Sequence, residues 1–341
     1  MKQAVMTSPG VIEFRDVPVP KPGPEEVLIR VRRIGVCGSD IHVRHGRHPF
    51  TSYPVVQGHE FSGVIEAVGK RVKGLRRGQK VTATPQIVCG RCAPCRRGDY
   101  HICDVLRVQG FQAPGCAQEL FLVRAEQIVP LPASFSFEQG ALVEPAAVGV
   151  HTVSRAGTMA GMNVAVLGAG PIGNLVGQAA RAAGAKVLLT DISEYRLEIA
   201  RKCGLRAVSL AGRESLKDAS ARVFGAKGFQ KAFECAGAEA AINEAIDAIQ
   251  KGGTIVAVGV YGDRPRVNMG LVQDRELTLT GTLMYQKRDF VKAVRLMRSG
   301  ALVTAPLETT HFPFAEYRAA YDYADREGER SMKIFVDLET T

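Results

Sequence analysis

Eight cysteines are spread along the chain, and four of them crowd into one short stretch. Cys89-Gly-Arg-Cys92-Ala-Pro-Cys95-Arg-Arg-Gly-Asp-Tyr-His-Ile-Cys103 leaves two, two and seven residues between successive cysteines. Four thiolates drawn into one loop suit a tetrahedral zinc whose every position is filled by protein, so the ion's contribution would be folding energy. An iron–sulfur cluster is the competing occupant; the wide last gap and the lack of a Cys-Pro tail favour zinc. A second donor set is dispersed: Cys37 in Cys37-Gly-Ser39-Asp-Ile-His42, then Gly58-His59-Glu60, then Glu144-Pro145. Thiolate, imidazole and carboxylate form a mixed set, suited to a zinc that keeps one position open for a reacting molecule. Cys116, Cys203 and Cys235 stand apart and read as small buried hydrophobes.

A third chemistry is written in glycine. Gly168-Ala-Gly170-Pro171-Ile172-Gly173 directly follows the apolar run Asn163-Val-Ala-Val-Leu167 and opens a helical pattern. Gly168 would make the tight turn, Gly170 would let backbone approach a pyrophosphate, and Gly173 would permit close helix–strand packing. The helix start then offers free amides and a positive dipole to the phosphates. Asp191 ends the next apolar run, 23 residues after Gly168, where a carboxylate binds ribose hydroxyls and repels a 2′-phosphate. NAD is therefore expected rather than NADP, with Arg196 flanking the adenine or tolerating the phosphorylated cofactor.

These residues need elements to hold them. Before about residue 145, short Val- and Ile-rich runs such as Val27–Val31 and Gly63–Val68 lie between Gly and Pro punctuation, predicting a β-rich region. From about 160, apolar strands alternate with helices: Asn163–Leu167, Lys186–Thr190, Lys231–Cys235, Thr254–Val258 and Glu276–Thr280. That alternation predicts a parallel sheet covered on both faces, hence an α/β protein. Amphipathic helices follow across Asp289–Arg298 and Phe314–Asp325.

Composition narrows the class. With 341 residues, 46% hydrophobic and 23% charged, the chain has room for two domains and needs no size-driven staple. No apolar run reaches the length of a membrane span, and the N-terminus breaks before a secretory apolar region forms, so a cytoplasmic protein is expected. The net charge of +10 could favour a polyanion, and a zinc-stabilised nucleic-acid-binding protein is one alternative. A zinc ribbon, however, sets two Cys-x2-Cys pairs about 15 to 20 residues apart. The basic run Lys70 to Lys80 also lacks aromatic stacking partners.

Taken together, Gly-Val-Cys37-Gly-Ser-Asp-Ile-His42, Gly58-His-Glu60, the four-cysteine lobe, Leu142-Val-Glu-Pro145 and the glycine loop resemble the zinc-dependent medium-chain alcohol dehydrogenases, across essentially the whole chain. Within them the resemblance is to the polyol and sugar dehydrogenase branch, including sorbitol, threonine and L-gulonate or galactonate dehydrogenases. It implies a GroES-like catalytic domain over 1–147, with 285–341 returning to it, and a doubly wound Rossmann NAD-binding domain over 148–284. Cys37 and His59 match zinc ligands; Glu60 and Glu144 match the carboxylates, one bound and one nearby. Ser39 matches the hydroxyl that takes the substrate proton, and His42 the place from which that proton leaves. The implied reaction is reversible oxidation of a secondary alcohol to a ketone with hydride transfer to NAD, on a polyol, a sugar acid, a diol or an amino alcohol such as threonine. Arg44 and Arg47 could border the substrate and bind a carboxylate or phosphate. A homodimer or homotetramer is implied, with Glu276–Thr280 pairing across subunits, and no nucleic-acid or membrane partner. A cofactor-holding, non-catalytic relative is the remaining alternative, disfavoured because Cys37, Ser39, His59 and both glutamates are all present.

Overall fold

The computed structural model describes residues 1–338. The chain divides into two compact units, one comprising Met1–Glu144, Gln286–Val294 and the chain from Glu308 onward, the other Pro145–Tyr285 and Arg295–Leu307. The family resemblance implies that all of 285–341 returns to the first of these. In the structure Arg295–Leu307 groups with the second, because Gln178 on the helix Pro171–Ala182 grips Val303: its Oε1 accepts from Val303 N at 2.6 Å and its Nε2 donates to Val303 O at 3.1 Å. Residues 339–341 lie outside the described ones.

The first unit is built on a seven-stranded sheet. Its spatial order is Glu308–Pro313, Lys333–Asp337, Glu26–Val36, Glu60–Val68, Lys80–Ala83 and Ile128–Pro130, with Leu120–Arg124 also paired to Glu26–Val36. Glu26–Val36 is eleven residues long and pairs with three strands in turn. Its buried Val27, Ile29, Val31 and Ile34 form the core with Phe61, Ile65, Phe121, Tyr317, Tyr321 and Val336. The strand Lys333–Asp337, almost the last piece of chain, thus sits inside the sheet, antiparallel to the segment that ends at Cys37.

The second unit carries a six-stranded parallel sheet in the order Val208–Leu210, Lys186–Asp191, Asn163–Leu167, Lys231–Glu234, Thr254–Ala257, Thr278–Gly281. Its inner strands read as near-continuous apolar runs because helices cover them; Val164, Ala165 and Val166 are wholly buried. The chain starts at Asn163–Leu167 in the middle, winds one way, then returns to wind the other. In sheets wound this way, ligands bind beside the carboxyl ends of the strands at the point of reversal, here the end of Asn163–Leu167. The final strand starts later than the apolar pattern suggests, at Thr278 rather than Glu276, because Glu276 has φ 51° and cannot continue an extended ladder.

Glu234 ends the fourth strand of this order fully buried. Its Oε1 accepts from the amides of Ala236 and Gly237 at 2.9 and 2.8 Å, and its Oε2 accepts from the Tyr261 hydroxyl at 2.8 Å. Replacing it with Ala strands these donors in the interior. Glu234→Ala is expected to lower stability by about 3 kcal/mol, a few charge-assisted bonds' worth, seen as a lower urea midpoint; Tyr261→Phe should cost less.

Candidate active site and metal centres

The four-cysteine lobe folds around the short helix Ala93–Arg96 and the 3-10 turn Tyr100–Ile102. The sulfurs of Cys89, Cys92, Cys95 and Cys103 all lie within 4.8 Å of one another, and no disulfide joins them. Backbone amides point at them: Arg91 N and Cys92 N donate to Cys89 Sγ at 3.5 and 3.4 Å, and Cys89 N donates to Cys103 Sγ at 3.4 Å. Those amides hold the Cys89 thiol down to about 6, whereas desolvation, then the neighbouring thiols, push Cys95 up to about 12. Four sulfurs so close cannot all ionise without a cation among them, and this donor set fits zinc closed on all sides. The lobe is tied to the chain's return by Gln286, whose Nε2 donates to Gly98 O at 3.0 Å and lies 3.1 Å from His101 Nδ1. Lys287 N adds a bond to the Tyr100 hydroxyl at 2.7 Å.

A second cluster brings together Cys37, His59 and Glu60, whose donor atoms also lie within 4.8 Å of one another. Cys37 directly follows the strand Glu26–Val36 and serves as N-cap of the helix Gly38–Arg44; His59 and Glu60 stand where the neighbouring strand begins. The strand pairing therefore assembles the site, since Gly35 faces Glu60 in the register. Ser39 Oγ donates to Cys37 Sγ at 3.1 Å, so this hydroxyl already touches the thiol. His42 lies one turn further along the same helix, partly exposed. Glu144 is buried in the helix Phe137–Arg155 and does not belong to the three-donor group.

Two residues that the motifs do not single out complete this site. Asp40 is buried, accepts from Cys37 N at 3.0 Å, and holds Oδ1 3.6 Å from His59 Nδ1. Burial works against charge on His59, but Asp40 and Cys37 overcome it and raise the imidazole well above its ordinary range. Nδ1 and Oδ1 are too far apart for a hydrogen bond, and both are buried without a partner among the described residues; a carboxylate beside the imidazole is the usual arrangement around ligating histidines. Lys333 is the second. Its ammonium, 4% exposed, donates to Glu60 Oε1 and Oε2 at 2.8 and 2.6 Å and to Val36 O at 3.3 Å. Burial opposes that charge, yet Glu60 first, then Cys37 and Glu144, hold it above the ordinary lysine range. Asp40 was within reach of sequence reasoning, three residues after Cys37; Lys333 lies 273 positions from Glu60 and left no local signal.

Arg44 does not reach toward a substrate as the sequence suggests; its guanidinium is bound to Asp322 and Asp325. Arg47 is exposed, and no described residue pairs with its guanidinium.

In the second unit the glycine loop leaves Asn163–Leu167 and enters the helix at Pro171, with Gly170 as N-cap. Gly168 has φ 100°, and a Cβ on Gly173 would stand 1.8 Å from Gly168 O, so only glycine allows the turn to close. A Cβ on Gly170 would meet nothing within 4 Å, so the backbone there lies beside open space. Ile172 follows Pro171 in the first turn. Asp191 is buried at the end of the adjacent strand: Oδ2 accepts from Ala169 N at 2.6 Å and Oδ1 from Ser193 N at 2.8 Å. The cap of the following helix is Ser193, so Asp191 is free of that duty and braces the loop instead. Arg196 Nη1 lies 4.0 Å from Asp191 Oδ2.

Residues 23–133 match the family model described as an alcohol dehydrogenase GroES-like domain, and 171–299 match that of a zinc-binding dehydrogenase. The chain belongs to the zinc-binding alcohol dehydrogenases. The 2-dehydro-3-deoxy-L-galactonate 5-dehydrogenase of Pseudoalteromonas atlantica is 35% identical over 317 residues, 92% of this chain and 91% of its own. Among solved structures, a protein described as a short chain alcohol dehydrogenase from Escherichia coli, complexed with NADH, superposes with TM-score 0.91 at 26% identity, covering 99% of each chain. One from Sinorhizobium meliloti assigned as a zinc-binding dehydrogenase and bound to NADP gives 0.89 at 30%, also over 99% of each chain. The chain is thus an alcohol dehydrogenase of a zinc- and NAD(P)-dependent family, in the branch that includes polyol and sugar-acid enzymes.

Two outcomes test this geometry. Lys333→Met leaves Glu60 buried without its cation and should destabilise the metal-free protein by about 3 kcal/mol; zinc should then raise the melting temperature of the variant more than that of the wild type. Gly173→Ala forces the loop open against Gly168 O and should weaken NADH binding at least about tenfold, roughly 1.4 kcal/mol, in a fluorescence titration, while zinc content stays unchanged.

Proposed function

We propose that this enzyme uses NAD to oxidise, reversibly, a secondary alcohol of a sugar acid or related polyol to the ketone. The observation that carries the reading is the convergence of Cys37, His59 and Glu60 beside the Ser39 hydroxyl, with Lys333 and Asp40 behind them. Cys37 and His59 would hold a zinc ion there with Glu60 as the adjoining carboxylate, and Glu144 would stand as the reserve carboxylate. When bound, the zinc supplies a Lewis acid that makes an alcohol proton easier to remove, and NAD supplies the hydride acceptor.

The chain's own residues handle the proton and the pose. Ser39 accepts the proton from the substrate hydroxyl and passes it along the helix toward His42, whose partly exposed imidazole releases it to water. Asp40 fixes the His59 ring, and Lys333 balances the negative charge gathered around Cys37 and Glu60. Cys89, Cys92, Cys95 and Cys103 would hold the second zinc as a staple. Gly168, Gly170, Pro171, Ile172 and Gly173 would receive the pyrophosphate, with Asp191 taking the ribose hydroxyls and disfavouring a 2′-phosphate; Arg196 would lie along the adenosine end.

Substrate class rests on two supports: the sugar-acid substrate in the name of the Pseudoalteromonas relative, and the unpaired Arg47 guanidinium next to the relay helix, suited to a carboxylate. A homo-oligomer is part of the reading, since among the described residues Thr278–Gly281 pairs with a strand on one side only and leaves an edge for a second copy. Nucleic acid is not part of it: in the basic run, Arg71 and Arg77 pair with Glu25 and Glu66, and Lys80 donates to Ala133 O. No described helix is long and apolar enough to cross a membrane, and we assign the protein to the cytoplasm.

The test is an NAD reduction screen over aldonates, polyols, sugar phosphates and threonine, with metal measured alongside. Wild type should bind two zinc per subunit and favour an acidic polyol; Cys37→Ser should keep one zinc and lose turnover. Arg47→Ala should raise KM on acidic substrates alone. Full activity in metal-replete Cys37→Ser would overturn the mechanism.

A further inference from the structure

The helix Gly38–Arg44 has seven residues, two turns about 10 Å long. Helices this short are not stable alone, yet this one carries Ser39 and His42, which at i and i+3 share one face. Something outside the helix must fix its rotation. Its beginning is held by Cys37, whose amide donates to Asp40. Its end is held by charge. Arg44 donates through Nη2 to Asp322 Oδ1 and places Nε 3.1 Å from Asp325 Oδ2, while His45 Nε2 lies 3.0 Å from Asp325 Oδ1. Both acids belong to the helix Tyr317–Glu327, where Arg318 also approaches Asp322 at 3.8 Å.

That second helix is itself anchored. Tyr317, Ala320 and Tyr321 are buried in the same core as Val43, each no more than 2% exposed, and the two tyrosine hydroxyls meet at 3.0 Å. Val43 is thus gripped on its apolar side by the core, its carbonyl accepts from the Tyr53 hydroxyl, and the next residue is gripped by two carboxylates. The Arg44 side chain is 13% exposed and its partners 37% and 28%, so the pairs are screened far less than pairs in open water. A cation at this end also complements the helix dipole.

We propose that Arg44, Asp322 and Asp325, with His45, form a clamp that sets the rotation of the helix Gly38–Arg44 and so aims Ser39 and His42. They are positioning residues. The clamp rests on the dehydrogenase reading only for what Ser39 and His42 do, not for how the helix is held.

The test uses zinc-loaded full-length protein. In Arg44→Met, amide hydrogen exchange over 38–45 should quicken about tenfold while protection of the strands Glu26–Val36 and Glu60–Val68 and the zinc content stay as in wild type. With the alcohol that the screen identifies, kcat should fall about tenfold, inside the roughly hundredfold that a 1 Å misplacement can cost, with KM for NAD unchanged. Arg44→Lys, able to reach one carboxylate, should recover most of both, and Asp322→Asn with Asp325→Asn should reproduce Arg44→Met. Unchanged exchange over 38–45 in Arg44→Met overturns the clamp, as does protection lost evenly across the whole first unit, which would mark an ordinary stabilising pair. Faster exchange confined to 38–45 in a protein that oxidises none of the alcohols upholds the clamp and overturns the dehydrogenase reading instead.

Discussion

Three electron-rich groups meet in the first unit where water is scarce, and the rest of that unit is arranged around making the meeting tolerable. Cys37, His59 and Glu60 lie close enough to share one cation, and burying such donors uncompensated costs several kcal/mol per charge. The chain answers with two partners of its own, an acid against the imidazole and an ammonium against the carboxylate. The ammonium comes from a strand paired with the one that leads into Cys37, so the sheet register delivers compensation to the point of need. A metal arriving there meets donors already oriented, and orientation paid for during folding is not charged again on binding.

The second unit solves a different problem with backbone alone. An anion site there would need free amides and an approach that no side chain obstructs, and the loop from Gly168 to Gly173 has both at the reversal of strand order. Asp191 contributes twice: its buried carboxylate accepts Ala169 N and so shapes the loop, and its negative charge stands beside the place where a ribose is expected. In the proposed reading charge selectivity and loop rigidity would share one residue, so a substitution meant to change cofactor preference would also disturb the turn.

Much of this was legible in the sequence because the informative residues are neighbours. Four cysteines in one stretch, six residues of glycine loop, and Cys37 to His42 each carry their geometry in their spacing. The parallel strands were legible because burial on both faces leaves continuous apolar runs. What spacing could not reveal is pairing at a distance: Lys333 with Glu60, or Arg44 with Asp322 and Asp325, where an exposed-looking basic loop is in fact occupied by a helix from the far end of the chain. Glu276 was misread for a local reason, since a left-handed residue interrupts an apolar pattern without altering it. The return of Arg295–Leu307 to the second unit hangs on Gln178, a polar residue in a helix that periodicity treats as neutral.

The placement of Lys333–Asp337 inside the first sheet, one strand from its edge, has a consequence for biosynthesis. During translation the N-terminal strands emerge with Glu60 already in place but its cation not yet made, and an entire second unit is synthesised before residue 333 leaves the ribosome. The nascent first unit therefore waits with residues 33–36 of Glu26–Val36 as an open edge, since Glu308–Pro313 and Lys333–Asp337 are both still to come, and with Glu60 lacking its cation; exposed edges of this kind are what chaperones exist to cover.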